Sequence, residues 1–250
     1  MNDHDALLRA IGAHPEEDTP RLMYADWLEE NGDPDRAAFV RNQVAMARFD
    51  LNDPARVPLV WANKRYLTDL VPLWKAELPR SDGVEWGDFN RGLIEEVQAS
   101  SEAPLVERTA AVFGVPGVHI LRLRRLARAT DLARLPELDR LRALRMVSAH
   151  TSAAALRTLL DSPHLIRLTV LDLHGTAADD GVAADLADGR FPDLAELWLG
   201  SNAIGNRGAL ALASTRHLPR LRLLDLRGNA HVGQAARAAL QRRFGSALSM

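Results

Sequence analysis

Cysteine is absent from this 250-residue chain, which excludes disulfide frameworks, thiolate nucleophiles and cysteine-held zinc or iron–sulfur sites. Lysine is nearly absent as well: Lys64 and Lys75 are the two lysines among 31 basic side chains, a bias that reads as coding composition rather than a selected feature. Aromatic residues make up 5%. No run approaches the ~18 to 20 apolar residues that a membrane helix needs. The opening Met1-Asn2-Asp3-His4-Asp5 is acidic and polar, unlike a secretion signal, so the expectation is a cytoplasmic protein with no membrane partner. A net charge of −2 gives no whole-molecule attraction to nucleic acid. What remains is 47% apolar and 26% charged, ordinary globular material for one extended domain or two small ones.

The charge is unevenly spread. Residues 1–50 hold eleven acids against five bases, and residues 122–145 hold eight arginines against three acids. The first half has the punctuation of short helices. Leu7, Leu8 and Ile11 share one stripe over residues 5–13, ended by His14-Pro15. Asp18 or Thr19 caps a second helix with Pro20 in its first turn, which Asn31-Gly32 ends, and Asp33-Pro34 opens a third that runs to about Phe49. Val60 to Leu78 gives a fourth, interrupted near Pro72. Trp27, Trp61 and Trp74 fall on helical faces and are expected to be core anchors rather than a cofactor box.

Within this half, Pro20-Arg-Leu-Met-Tyr24-Ala-Asp26-Trp-Leu-Glu29-Glu30-Asn-Gly-Asp-Pro34, followed by Arg36-Ala-Ala-Phe-Val-Arg41, closely resembles the bacterial repeat-companion domain. That module is abundant in planctomycetes and usually precedes repeat arrays. The likeness spans about residues 5–48, with echoes at Arg91-Gly-Leu-Ile-Glu-Glu-Val97 and Arg242-Arg-Phe-Gly245. It implies an architecture and brings no catalytic residue.

The second half repeats. Leu168-x-x-Leu171-x-Leu173-x-x-Thr176, Leu194-x-x-Leu197-x-Leu199-x-x-Asn202 and Leu221-x-x-Leu224-x-Leu226-x-x-Asn229 align, with weaker copies centred on Leu121 and Leu144. Successive central leucines stand 23, 27, 26 and 27 residues apart, the spacing of leucine-rich repeats. Each short strand sends its leucines inward and the intervening residues outward onto a concave sheet. Helices at 151–161, 179–188, 206–215 and 233–244 return the chain along the convex side. Thr176, Ala149 and Leu126 stand where the asparagine belongs, so the first two turns are expected to be irregular in register. The Asn202-to-Leu210 segment resembles the ribonuclease-inhibitor-like branch, whose scaffolds are chiefly protein-binding surfaces. The expected fold is therefore α/β: a leucine-rich repeat solenoid over 86–250, preceded by a small all-α domain and linking helix over 1–85. The helical unit with Gly92–Val97 caps one end of the array and Gln241–Met250 the other.

On this reading the outward strand positions carry Arg122, Arg124, Arg145, Asp172, His174, Glu196, Trp198, Asp225 and Arg227. Tryptophan and arginine are the residues most often found as interface hot spots, so these nine are the candidate partner-binding residues of a non-catalytic protein-interaction module. No phosphate-binding glycine run, zinc helix or nucleophile elbow occurs, and no cofactor, metal or catalytic residue is implied. Two other readings stand beside this one. Nucleic acid could meet the arginine-rich first repeats, or an enzyme could use Asp26, Glu29 and Glu30, which share a helix face at i, i+3 and i+4 but lack a histidine to complete a ligand set.

Overall fold

A computed structural model describes residues 3–250. The chain forms two compact units. The first holds the residues up to Ser81 with Trp86–Val97 and Ala110–His119, and the second holds 82–85, 98–109 and 120–250. The expected division at 85/86 thus meets a grouping in which two later segments join the helical unit.

In the first unit helices α1 (Asp3–Ala13), α2 (Thr19–Glu30) and α3 (Pro34–Met46) follow one another. Proline stands in the first turn of α2 and α3, but Asp18, one of the two expected caps of α2, makes no side-chain cap bond there. Of the two aspartates only Asp33 caps its helix, accepting a hydrogen bond from the Arg36 backbone N–H at 3.1 Å at the start of α3. Next come α4 (Val57–Arg65), a wide π-turn at Tyr66–Leu70, and α5 (Val71–Ala76). The π-turn is what Pro72 does to the fourth helix. Lacking an N–H, proline cannot bond the carbonyl four residues back, and its ring crowds that carbonyl, so the turn before it widens. Ile11, Tyr24, Ala25, Leu28, Ala37, Val40 and Val44 pack with Leu93 as one core. Trp74 is buried, whereas Trp61 is 66% exposed; the expectation that Trp61 anchors the core is overturned, because α4 turns its Asn63 side inward.

Four short strands follow: β1 (Val84–Trp86), β2 (Phe89–Asn90), β3 (Leu93–Ile94) and β4 (Glu96–Ala99). β2 and β3 pair antiparallel, and with Trp86–Val97 grouped into the first unit they add a small sheet to the helices expected over 1–85. Phe89 lies edge-on to Phe39 and Trp74, and Leu93 enters the helical core. At the turn between these strands Gly92 has φ +87°, and a Cβ there would lie 2.6 Å from Val40. Only glycine meets both conditions.

The helices α6 (Ala103–Glu107) and α7 (Thr109–Phe113) lead to β5 (Ile120–Leu123) and the repeats. Strands β6 (Ala143–Arg145), β7 (Val170–Asp172), β8 (Glu196–Trp198) and β9 (Leu223–Asp225) alternate with helices α8 (Ala129–Ala133), α9 (Ala153–Leu160), α10 (Asp180–Ala187) and α11 (Asn206–Ser214); α12 (Gln234–Phe244) and β10 (Leu248–Ser249) close the chain. The sheet is open, with strand order β1-β4-β5-β6-β7-β8-β9-β10. Strands β5 to β10 are parallel, and Leu121, Leu144, Leu171, Leu197, Leu224 and Leu248 are partners in one row. The first two turns, expected to be irregular, keep this register in their strands. The residues from 241 onward do more than end the array, since β10 adds a strand to its edge.

Three sets of side chains tie several of the repeats to the one before. Asn202 donates from Nδ2 to the carbonyls of Leu173 (2.8 Å) and Leu199 (3.0 Å), and its Oδ1 accepts from the N–H groups of Thr176 and Ala178. Asn229 repeats this one turn on, with Leu199, Leu226 and Ile204. Backbone groups that strand geometry leaves unpaired are thereby satisfied. Near the helix starts, Asp180 accepts from the N–H groups of Gly205 and Gly208, and Asn206 from that of Gly233. Helices α11 and α12 begin after glycines with no side chain to cap them. The preceding repeat supplies the cap instead. Near the helix ends, the Ser162 hydroxyl donates to Ala133 O and the Thr215 hydroxyl to Ala187 O.

Candidate functional site

The strand register places Arg122, Arg145, Asp172, Trp198 and Asp225 side by side across five strands. Two residues earlier, Ile120, Ala143, Val170, Glu196 and Leu223 form a second row. Both follow from a period of two in the strand and one strand per repeat. Arg122, Arg145, Asp172, Glu196 and Trp198, with Val147 and Val170, surround a shallow depression of about 320 Å³. The arginines come from β5 and β6 and the carboxylates from β7 and β8, so the depression is basic on one side and acidic on the other. Glu196 also receives Arg222 at 3.4 Å. Trp198 is half-buried and has no aromatic or cation–π contact among the described residues. The ring is therefore not stacked on Arg227 or His174.

Four of the nine expected residues lie outside this depression. Asp225 is 1% exposed, and Arg227 covers its carboxylate with contacts of 3.0 Å from Nε and 2.8 Å from Nη2, to which the Arg227 backbone N–H adds a third at 2.9 Å. Burial pushes the Asp225 carboxyl upward, but the hydrogen bonds and charge of Arg227 outweigh it and hold the group below its ordinary range. Arg227 is raised in turn by its bond to Asp225. The pair thus closes on itself rather than facing a ligand. His174 lies against Gly200, where a Cβ would come within 2.7 Å of its Nδ1, so the missing side chain gives the imidazole its place. Its backbone N–H bonds Asp172 at 3.0 Å, as Arg227 does with Asp225. Arg124 is exposed and stands 3.8 Å from Glu85.

Two of the other arginines of 122–145 have partners close by. Arg128 lies 4.0 Å from Glu102, and Arg142 donates to the carbonyls of Asp139 and Arg140 in its own turn. The helical carboxylates have equally local partners. Arg41 from α3 bridges Asp26 at 2.7 Å and Glu29 at 2.6 Å, and those two bonds, Asp26 first, raise the Arg41 guanidinium above its ordinary value. All three carboxylates of Asp26, Glu29 and Glu30 are exposed. His14, Glu16 and Glu17 also bring ligand atoms within 4.8 Å of one another, on an exposed turn.

Val147 and Val170 supply the apolar floor of the depression, and their place follows from the same alternation as the charged residues. Away from this surface, the interlocking caps of Asp180 and Asn206 left no signal, because a polar residue at the first position of a helix has many other uses. Among the described residues no helix is long and apolar enough to cross a membrane.

No family profile matches the chain, and no curated protein does so either. Among solved structures, an internalin from Listeria monocytogenes str. 4b F2365 is similar at 20% identity with a TM-score of 0.40. The likeness covers 61% of this chain and 37% of the internalin, so the chain spans little more than a third of that protein's length.

Proposed function

We propose that residues 120–250 form a leucine-rich repeat solenoid acting as a non-catalytic protein-binding module, with the five-strand row as its concave recognition face. The residues up to about 48, which carry the repeat-companion pattern, are read as its companion module, and a cytoplasmic location belongs to the same proposal. The observation that carries the reading is the depression bounded by Arg122, Arg145, Asp172, Glu196 and Trp198. A half-buried tryptophan on the acidic side of a depression whose other side is basic can seat an apolar side chain while the charges set the orientation of the segment that bears it. The carboxylates bridged by Arg41 favour no second reading.

The test uses the protein as bait in a lysate of its own host, comparing wild type with a Trp198→Ala, Arg145→Ala double variant by quantitative mass spectrometry. A partner retained by wild type and lost by a still-folded variant is expected. Equal recovery by both proteins, or none, overturns the concave-face reading.

A further inference from the structure

The helical unit carries two exposed apolar surfaces of opposite charge. Between α1 and α2 runs a groove of about 400 Å³ whose floor is Leu7, Met23 and Trp27 and whose rim is Asp3, Asp26 and Glu30. Met23 is 54% exposed there, a flexible thioether side chain able to reshape itself around an incoming group. The second surface is on α4. Arg56, Leu59 and Asn63 turn toward the unit, and helical spacing therefore puts Val57, Val60, Trp61 and Lys64 on the outer stripe. Val57, Val60 and Trp61 are 52%, 46% and 66% exposed. The Lys64 ammonium sits 5.2 Å from the centre of the Trp61 ring, so the exposed aromatic carries its own cation. Arg65 follows it.

Contiguous apolar surface ringed by charge marks a docking site, and here the chain presents both halves of a match. Asp26 is bridged by Arg41, but Asp3 and Glu30 keep the rim suited to a cation-bearing anchor, and α4 offers a tryptophan with Lys64 beside it, Arg65 standing 3.8 Å from Asp35. We propose that α4 of one copy of this chain docks into the α1–α2 groove of a second copy, Trp61 entering against Met23 and Trp27 while Lys64 meets Glu30. The two surfaces differ, so the contact is heterologous and propagates head to tail unless it closes into a ring. This proposal is independent of the concave-face reading, since it uses none of the same residues.

Sedimentation equilibrium of the whole chain tests it, in low salt and in salt high enough to screen surface charge. For wild type the average mass is expected to rise with concentration to about twice the monomer or more, and to fall as salt is added. Two variants then separate the surfaces: Trp61→Ser with Lys64→Glu removes the anchor, and Met23→Glu with Glu30→Lys spoils the groove. Each variant alone is expected to stay monomeric, with an unchanged circular dichroism spectrum because all four positions are exposed. Mixed one to one they are expected to form a dimer and nothing larger, since the intact groove of one meets the intact anchor of the other. If Met23→Glu perturbs folding, Glu30→Lys alone takes its place. A wild-type protein that stays monomeric at about 1 mM, a concentration that populates even millimolar contacts, overturns the proposal. So do variants that still associate alone, or a mixture that remains monomeric.

Discussion

In the repeat unit Asn229, 1% exposed, is satisfied by the backbone of its own turn and the turn before it. In the helical unit Arg21, fully buried, bonds Glu95 at 2.5 Å across 74 residues of sequence, along with the carbonyls of Pro15 and Arg91. Asn90 donates to the other Glu95 oxygen at 2.5 Å, and Arg91 ties back to Asp18 at 2.6 Å. Burial is the largest influence on Arg21 and lowers its guanidinium from the ordinary range, with Glu95 opposing. One unit thus distributes many equivalent neutral bonds between neighbours. The other buries a charged knot that joins the first helices to the β2–β3 turn. Losing one member of a repeated set leaves the rest in place, whereas losing one partner of the knot strands a buried charge.

Arg21→Met is the strongest way to break that contrast, since it leaves Glu95, 5% exposed, without its cation. A loss of about 3 to 5 kcal/mol in urea unfolding is expected, and a loss below about 1 kcal/mol would show that the knot is not what specifies the helical unit. Leu197→Ala comes next. Its side chain is fully buried in the leucine row, and the cavity should cost about 2 to 5 kcal/mol. A cost confined below about 1 kcal/mol would mean the row does not carry the repeat core. The smallest effect sharpens the comparison through pH. Because the Asp225 carboxyl is held below its ordinary value, its contribution is complete above about pH 4 and is lost as the pH falls through the lowered folded value. Asp225→Asn should therefore cost about 1 kcal/mol at neutral pH, with the exposed Arg227 limiting the effect, and should flatten the decline in thermal midpoint below about pH 4. Parallel acid profiles for the two proteins would contradict the assigned direction.

The leucine row was legible because each central leucine performs the same task at a nearly constant spacing, so five copies expose the pattern that one copy would hide. The starts of α2 and α3 were legible for a local reason, since proline acts within one turn and, at α3, so does the Asp33 cap. The Arg91–Val97 echo shows the limit. The sequence marked it as part of the companion likeness, yet its role rests on Gly92 lying against Val40 and Glu95 against Arg21, contacts between residues about 50 and 74 apart. Nothing in local spacing records them. Asp225 and Asp172 look alike in the repeat alignment, and both accept the N–H two residues on. Only the arginine at 227, where the earlier turn has histidine, folds back to close the site.

By itself, then, the sequence determined the class of the repeat half, the partners of its strands and the faces of its outward residues, because periodicity and pleat geometry are properties of the chain alone. Tertiary structure decided which outward residues stay open, which segments complete the helical unit and which face of α4 is left bare. Those outcomes depend on which side chains happen to meet across the fold, and a meeting between distant residues leaves no mark at either position.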